Sequence, residues 1–141
     1  MEIGLDNRSA TQLDLQYYRR LALFALSAEA APESCELSVS FVEDDEMQAL
    51  NRDYRSIDAP TDVLSFGIDD ELLGDVVVSP AQARLHARDF SSSEAAEIDL
   101  LIVHGILHLL GYNHEDDAEA ARMEARENLL LALWRQEEDR S

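Results

Sequence analysis

The run LLIVHGILHLLGYNH, residues 100–114, narrows what this chain can fold into more than any other stretch. Leu100 to Leu110 is its longest strongly apolar segment, yet His104, Gly105 and His108 interrupt it. At that length it cannot cross a bilayer, which needs about 20 apolar residues. It reads as a long apolar helix, opened by a capping box in "SSSE" at 91–94, Ser91 with Glu94, and ended at Gly111. His104 and His108 are four apart, so they share one helical face one turn apart. Glycine enters a left-handed turn at little steric cost. The chain can therefore double back at Gly111 and return His114 to the same place.

Ring nitrogens so placed can converge on one ion about 2.0–2.1 Å away. Three of the four histidines fall within eleven residues, which favours a metal site over scattered polar residues in an apolar helix. His86, the fourth, has no such company and reads as a surface or helix histidine. Three neutral imidazoles with no obvious fourth protein ligand describe an open catalytic site, and one zinc ion is the expected cofactor. Non-haem iron prefers two histidines and a carboxylate, and no cysteine is near enough to make a softer site. Zinc held this way lowers the pKa of bound water to about 7 and polarises a carbonyl or phosphoryl oxygen. The spacing H-x3-H-x2-G-x2-H matches the metzincin protease frame except after the first histidine. Gly105 stands there in place of the glutamate base. Hydrolysis is implied; the bond is not. Glu115, beside His114, reads as a helix cap or a support for a ligand before it reads as a base.

The rest of the chain supplies one α+β scaffold. Residues 2–5 form a short strand. Leu13, Tyr17, Leu21, Phe24 and Ala28 recur at helical spacing, giving an amphipathic helix over 10–30 that Pro32 stops. In "CELSVSFV" the apolar residues Leu37, Val39 and Phe41 alternate with polar ones, the period of a half-buried strand. "EDDE" at 43–46 caps a second helix to about Arg55, with Met47 and Leu50 inward. Strands at 62–66 and 75–79, separated by acidic residues and Gly74, suggest a hairpin. Pro80 starts a short helix to Arg88. Capping by "DDAE" at 116–119 opens a last helix with Ala121, Ala125, Leu129 and Ala132 on one stripe. The expectation is a single domain over 1–141: a small mixed sheet of about four strands, packed against several helices and covered mostly on one face.

Thirty acidic residues against eleven arginines and no lysine give a net charge of −19. That balance opposes broad, sequence-independent binding of nucleic acid and suits a solubility or salt-adapted surface. Cys35 stands alone, so no internal disulfide forms; it reads as a small buried hydrophobe in a reducing cytoplasm. The N-terminus, MEIGLDNRSATQ, lacks the order of a signal peptide.

"HGILHLLGYNHE" resembles the signature of the bacterial YbeY family, single-strand-specific metallo-endoribonucleases of ribosomal RNA maturation. "LNRDYRSIDAPTDVLSF" at 50–66 and "LGDVVVS" at 73–79 resemble that family's upstream block, in the same order. The resemblance implies that His104, His108 and His114 are the zinc ligands. It marks Arg55 as important for activity, so Arg55 and the ligand His114 are the candidate catalytic residues; Arg52, one turn earlier on the helix, joins Arg55 as a candidate for holding the RNA backbone. It also implies a small α+β fold with the metal in a cleft, and single-stranded segments near the 3′ end of 16S rRNA as substrate. A part in ribosome quality control, and a ribosomal partner, follow on the same footing. Two positions depart from the family pattern: Asn113 where aspartate is common, and Gly67 where proline is common. Tyr54, Phe66 and Tyr112 are candidates for base stacking, with packing the more ordinary role for each. Two other readings stay open. One is a metal-dependent hydrolase of another bond, peptidase or amidase; the other is a non-catalytic, zinc-stabilised ribosome-assembly factor.

Overall fold

The computed structural model describes residues 1–68 and 73–140. The acidic stretch expected between the third and fourth strands lies largely outside them. In chain order the elements are β1 (Glu2–Asn7), α1 (Leu15–Ala28), β2 (Glu36–Phe41), α2 (Asp44–Arg55), β3 (Val63–Gly67), β4 (Gly74–Val78), α3 (Pro80–Asp89), α4 (Glu94–Leu109) and α5 (Asp117–Asp139).

Alternation within the strands sorts the sheet into two faces. It runs β1-β2-β4-β3, with β1 parallel to β2, β2 parallel to β4, and β3 antiparallel to β4. Ile3, Leu37, Val39, Phe41, Val76 and Val78 point into the main core, where Leu21, Ala25 and Leu26 of α1 meet Ile98, Ile102 and Ile106 of α4. Ser38 and Ser40, between those apolar positions on β2, face the other way. That second face is not bare at the β3 end: Leu64 and Val77 pack there against Met47, with Leu50 and Phe66 beside them. α2 therefore covers part of the side expected to be open. Cys35 is buried, as its solitary place predicts.

Helix ends follow local chemistry. α1 starts later than residue 10 because Asn7, Ser9 and Thr11 bond one another in a turn, and Asp14 then caps the helix by accepting the Tyr17 N–H. It ends ahead of Pro32 in a left-handed turn at Ala30, leaving Ala28 exposed. α4 is capped by Ser93, whose Oγ accepts the Ala96 N–H at 3.0 Å. Ser91, the expected cap, sits at a φ of 54° instead. Glu94 pairs with Arg84 rather than closing a box. Asp116 caps α5 through the Glu119 N–H at 2.8 Å.

α5 turns a different stripe inward from the one its spacing predicts. Met123, Glu127, Leu130, Leu131 and Trp134 are buried, whereas Ala121, Ala125, Leu129 and Ala132 are exposed. The larger side chains take the core because they bury more apolar area. A glutamate among them disguised the pattern.

Candidate active site

α4 brings His104 and His108 to one side of the molecule with their rings nearly parallel and their centroids 6.4 Å apart. Beyond Leu109 the Gly111 N–H donates to the His108 carbonyl and the Tyr112 N–H to that of Leu107, each at 3.1 Å. These are the paired bonds of a Schellman turn, and Gly111 supplies its positive φ, 104°. The reversal sets the His114 ring 5.8 Å from each of the other two. The hinge expected from sequence is present.

Facing the rings is edge strand β3 with the segment entering it. Arg55, Thr61, Asp62, Val63, Leu64 and Ser65 join the three histidines around a cleft of about 340 Å³. Arg55 is the last residue of α2, is exposed, and makes no ion pair among the described residues. The loop between it and Thr61 is held by Asn51, which is 2% exposed and donates from Nδ2 to the Ala59 carbonyl at 2.8 Å. Arg52, one turn earlier, bonds its neighbour Asp53 and does not line the cleft.

Close packing of α4 on the sheet fixes the depth of the cleft. A Cβ at Gly105 would lie 2.7 Å from Val76 Cγ1 and 3.2 Å from Ser65 Oγ. Ser65 also donates to the Gly105 carbonyl at 3.4 Å. No glutamate fits there, so the protease frame's acid–base group is excluded sterically as well as by sequence.

His104 Nδ1 lies 2.5 Å from Glu127 Oε1 of α5, a carboxylate only 8% exposed. With Nδ1 so engaged, Nε2 is the ring nitrogen left free. Burial holds the His108 pKa below its ordinary value; His104 and His114 push the same way and a hydrogen bond to the Tyr112 backbone opposes them. Neutral imidazole is the form a metal ligand requires. Among the described residues no three His, Cys, Asp or Glu side chains are drawn together tightly enough, as they stand, to hold an ion.

Other candidates lie elsewhere. Tyr54 and Phe66 pair edge to face at 5.0 Å in a groove on the opposite side of the sheet edge. Tyr112 donates its hydroxyl to Glu29, tying the turn to α1. Asn113 accepts the Glu115 N–H, a local turn bond, and Glu115 is exposed while its neighbour Asp116 is the cap of α5. His86 sits on α3 beside buried Glu97, Nδ1 to Oε2 2.8 Å. Two residues near the histidines escaped notice in the sequence. Asp62, in the cleft lining, belongs to "PTDVLSF", where its place just before a strand was the available signal. Glu127, behind His104 and outside the cleft lining, lies on the α5 stripe that the spacing did not turn inward.

A family model described as Endoribonuclease YbeY matches residues 5–135. The chain belongs to this family. A YbeY from Chloroflexus aurantiacus is 40% identical over 146 residues, spanning 94% of each protein. One from Moorella thermoacetica is 39% identical over 150 residues, covering 94% of this chain and 96% of the relative. A third, from Paramagnetospirillum magneticum, is 46% identical over 125 residues, 80% of this chain and 76% of its own. The solution structure of TM1509 from Thermotoga maritima shares the fold, with a TM-score of 0.65 over 99% of this chain and 95% of that one at 24% identity. YbeY membership makes RNA-cleaving hydrolase the activity class, and it upholds the resemblance seen in residues 50–79 and 104–115.

Proposed function

We propose that this chain is a zinc-dependent endoribonuclease specific for single strands. It would act in the cytoplasm on the 3′ end of 16S rRNA during maturation and in ribosome quality control. The observation that carries this reading is the convergence of three imidazoles and Arg55, which has no ion pair among the described residues, on a single open cleft.

The donor set suits the ion. A zinc–nitrogen distance of about 2.0–2.1 Å puts each ring centre roughly 3.2 Å from a shared ion and the centres roughly 5 Å apart. The separations of 5.8 to 6.4 Å ask each ring to move inward by roughly half an ångström, a side-chain adjustment. A zinc ion there supplies Lewis acidity toward a phosphoryl oxygen and a lowered pKa for coordinated water. Arg55 offers the forked guanidinium that holds phosphate oxygens in two directions. Asp62, the carboxylate of the cleft lining, is the group placed to move a proton during attack or departure. Gly105, with no room for a side chain, counts against the peptidase reading.

The charge of −19 sets how substrate arrives. Naked RNA is repelled everywhere but the cleft, so a ribosomal partner presents the single-stranded segment.

The test is cleavage of a single-stranded RNA by zinc-loaded protein, with rRNA 3′ ends mapped in cells. His114→Ala weakens zinc binding and loses activity together. Arg55→Ala keeps zinc and loses about 100-fold or more, as other oxyanion-stabilising groups do. Products with 5′-phosphate and 3′-hydroxyl ends mark water as the nucleophile; a 2′,3′-cyclic phosphate marks the RNA's own 2′-hydroxyl. A metallated Arg55→Ala protein that processes rRNA normally removes Arg55 from the reaction. Cleavage of peptides but not RNA overturns the reading.

A further inference from the structure

The buried carboxylate behind the histidines has no task in the cleavage scheme. Glu127 projects from α5 into a hollow of about 270 Å³ that Leu100, His104 and His114 also line, on the side of the rings away from Arg55. Its hydrogen-bond partner among the described residues is the His104 ring. Met123, Leu130 and Trp134 surround its place on the helix, so an apolar side chain would extend the same buried stripe. Enclosing a carboxylate there costs free energy that leucine would not. We propose that Glu127 is a positioning residue: through Nδ1 it fixes the tautomer and aim of His104, so that Nε2 faces the cleft before any ion arrives. This rests on the zinc reading given above.

General coordination chemistry supports the assignment. A histidine that binds metal through one nitrogen nearly always donates the other N–H to a carboxylate, carbonyl or water, and losing that partner weakens binding about 10–100-fold. The contact also joins α5 to α4 at the ring where the frame begins. α5 would otherwise contribute nothing to the cleft. The chain carries an internal comparison in His86 and Glu97, the same pair of side chains at 2.8 Å but away from the other histidines.

Zinc affinity of the full chain is measured by competition with a chromophoric chelator, for wild type, Glu127→Ala, Glu127→Gln and Glu97→Gln. ¹⁵N NMR of the metal-free proteins at mildly alkaline pH reads the His104 tautomer. Glu127→Ala should lose about 10–100-fold in affinity and move the His104 proton toward Nε2. Glu127→Gln, which can still accept at Nδ1, should keep the tautomer and lose less. Glu97→Gln should match wild type, and in a His104→Ala background Glu127→Ala should have no further effect. Melting of the metal-free Glu127→Gln protein should be unchanged or higher, the opposite direction to its zinc affinity. Folded Glu127→Ala that binds zinc within twofold of wild type overturns the inference, and so does an equal loss in the His104→Ala background. Should wild type take up no zinc, the metal reading fails and this falls with it; should wild type bind while Glu127 proves indifferent, only the positioning role is lost.

Discussion

Substituting Gly105 by alanine tests whether helix-to-sheet contact sets the cleft. The new Cβ would stand 2.7 and 3.0 Å from the two methyls of Val76 and 3.2 Å from Ser65 Oγ. Carbon–carbon contacts relax at about 3.5–4.0 Å, so α4 must lift by up to roughly 1 Å or Val76 must leave its rotamer. Val76 is fully buried and β-branched, which leaves it little freedom at χ1. Overpacking of this kind costs about 1–3 kcal/mol, while alanine in a helix interior returns about 1 kcal/mol over glycine. The net is a destabilisation of about 0–2 kcal/mol. In a Val76→Ala background the clash is gone, and the same change should stabilise by about 1 kcal/mol, a coupling of about 1–3 kcal/mol between the two sites. Urea denaturation of the four proteins measures this directly. A shift of about 1 Å at His104 and His108 should also lower RNA cleavage by up to about 100-fold. Gly105→Ala that is more stable than wild type and fully active in both backgrounds would refute the reasoning.

Three further outcomes follow from the geometry. Burial lifts the Asp99 carboxyl to about 6, against the Tyr17 hydroxyl that donates to it and against Arg135. The unfolded chain titrates that group near 3.9, so the folded protein gains stability from it as pH falls from about 6 to about 4. Above that window the buried charge costs up to about 3 kcal/mol. Asp99→Asn should therefore raise Tm at pH 7.5, with a gain that shrinks toward pH 4; a gain independent of pH contradicts this. Asn51→Ala removes the bond to Ala59 and should cost about 1–3 kcal/mol in chemical denaturation. It should also weaken RNA cleavage more than zinc binding, because it frees the loop to Thr61 and Asp62 and not the histidines. At 150 mM salt the isolated protein should bind naked single-stranded RNA with a Kd weaker than roughly 10 µM; tight binding insensitive to salt in a titration would reject the need for a presenting partner.

Much of the fold and half of the cleft could be read from residues alone, for identifiable reasons. Strands β2 and β4 announced themselves through alternation and β-branched runs, and the α4 turn through a glycine whose φ few other residues adopt. What stayed hidden depended on long-range partners. The capping box of Ser91 with Glu94 gave way to Ser93 because Ser92 bonds back to Ala87 and Glu94 pairs with Arg84. Glu127 looked like one more charge on an acidic helix, because nothing local says that its partner lies 23 residues away. Gly105 was legible as a missing base, but its steric necessity appeared only with Val76 beneath it. Arg55 was singled out by the family resemblance and Arg52 only by its place one turn earlier; helix geometry set the first in the cleft lining and the second beside Asp53.

X-ray absorption at the zinc edge on this chain loaded with one equivalent of zinc tests the central claim most directly. The expected spectrum holds three imidazole nitrogens at about 2.0–2.1 Å and one exchangeable oxygen donor, and it loses one nitrogen in each of the His104→Ala, His108→Ala and His114→Ala proteins. Zinc bound through carboxylates, or a spectrum that all three substitutions leave unchanged, would contradict it.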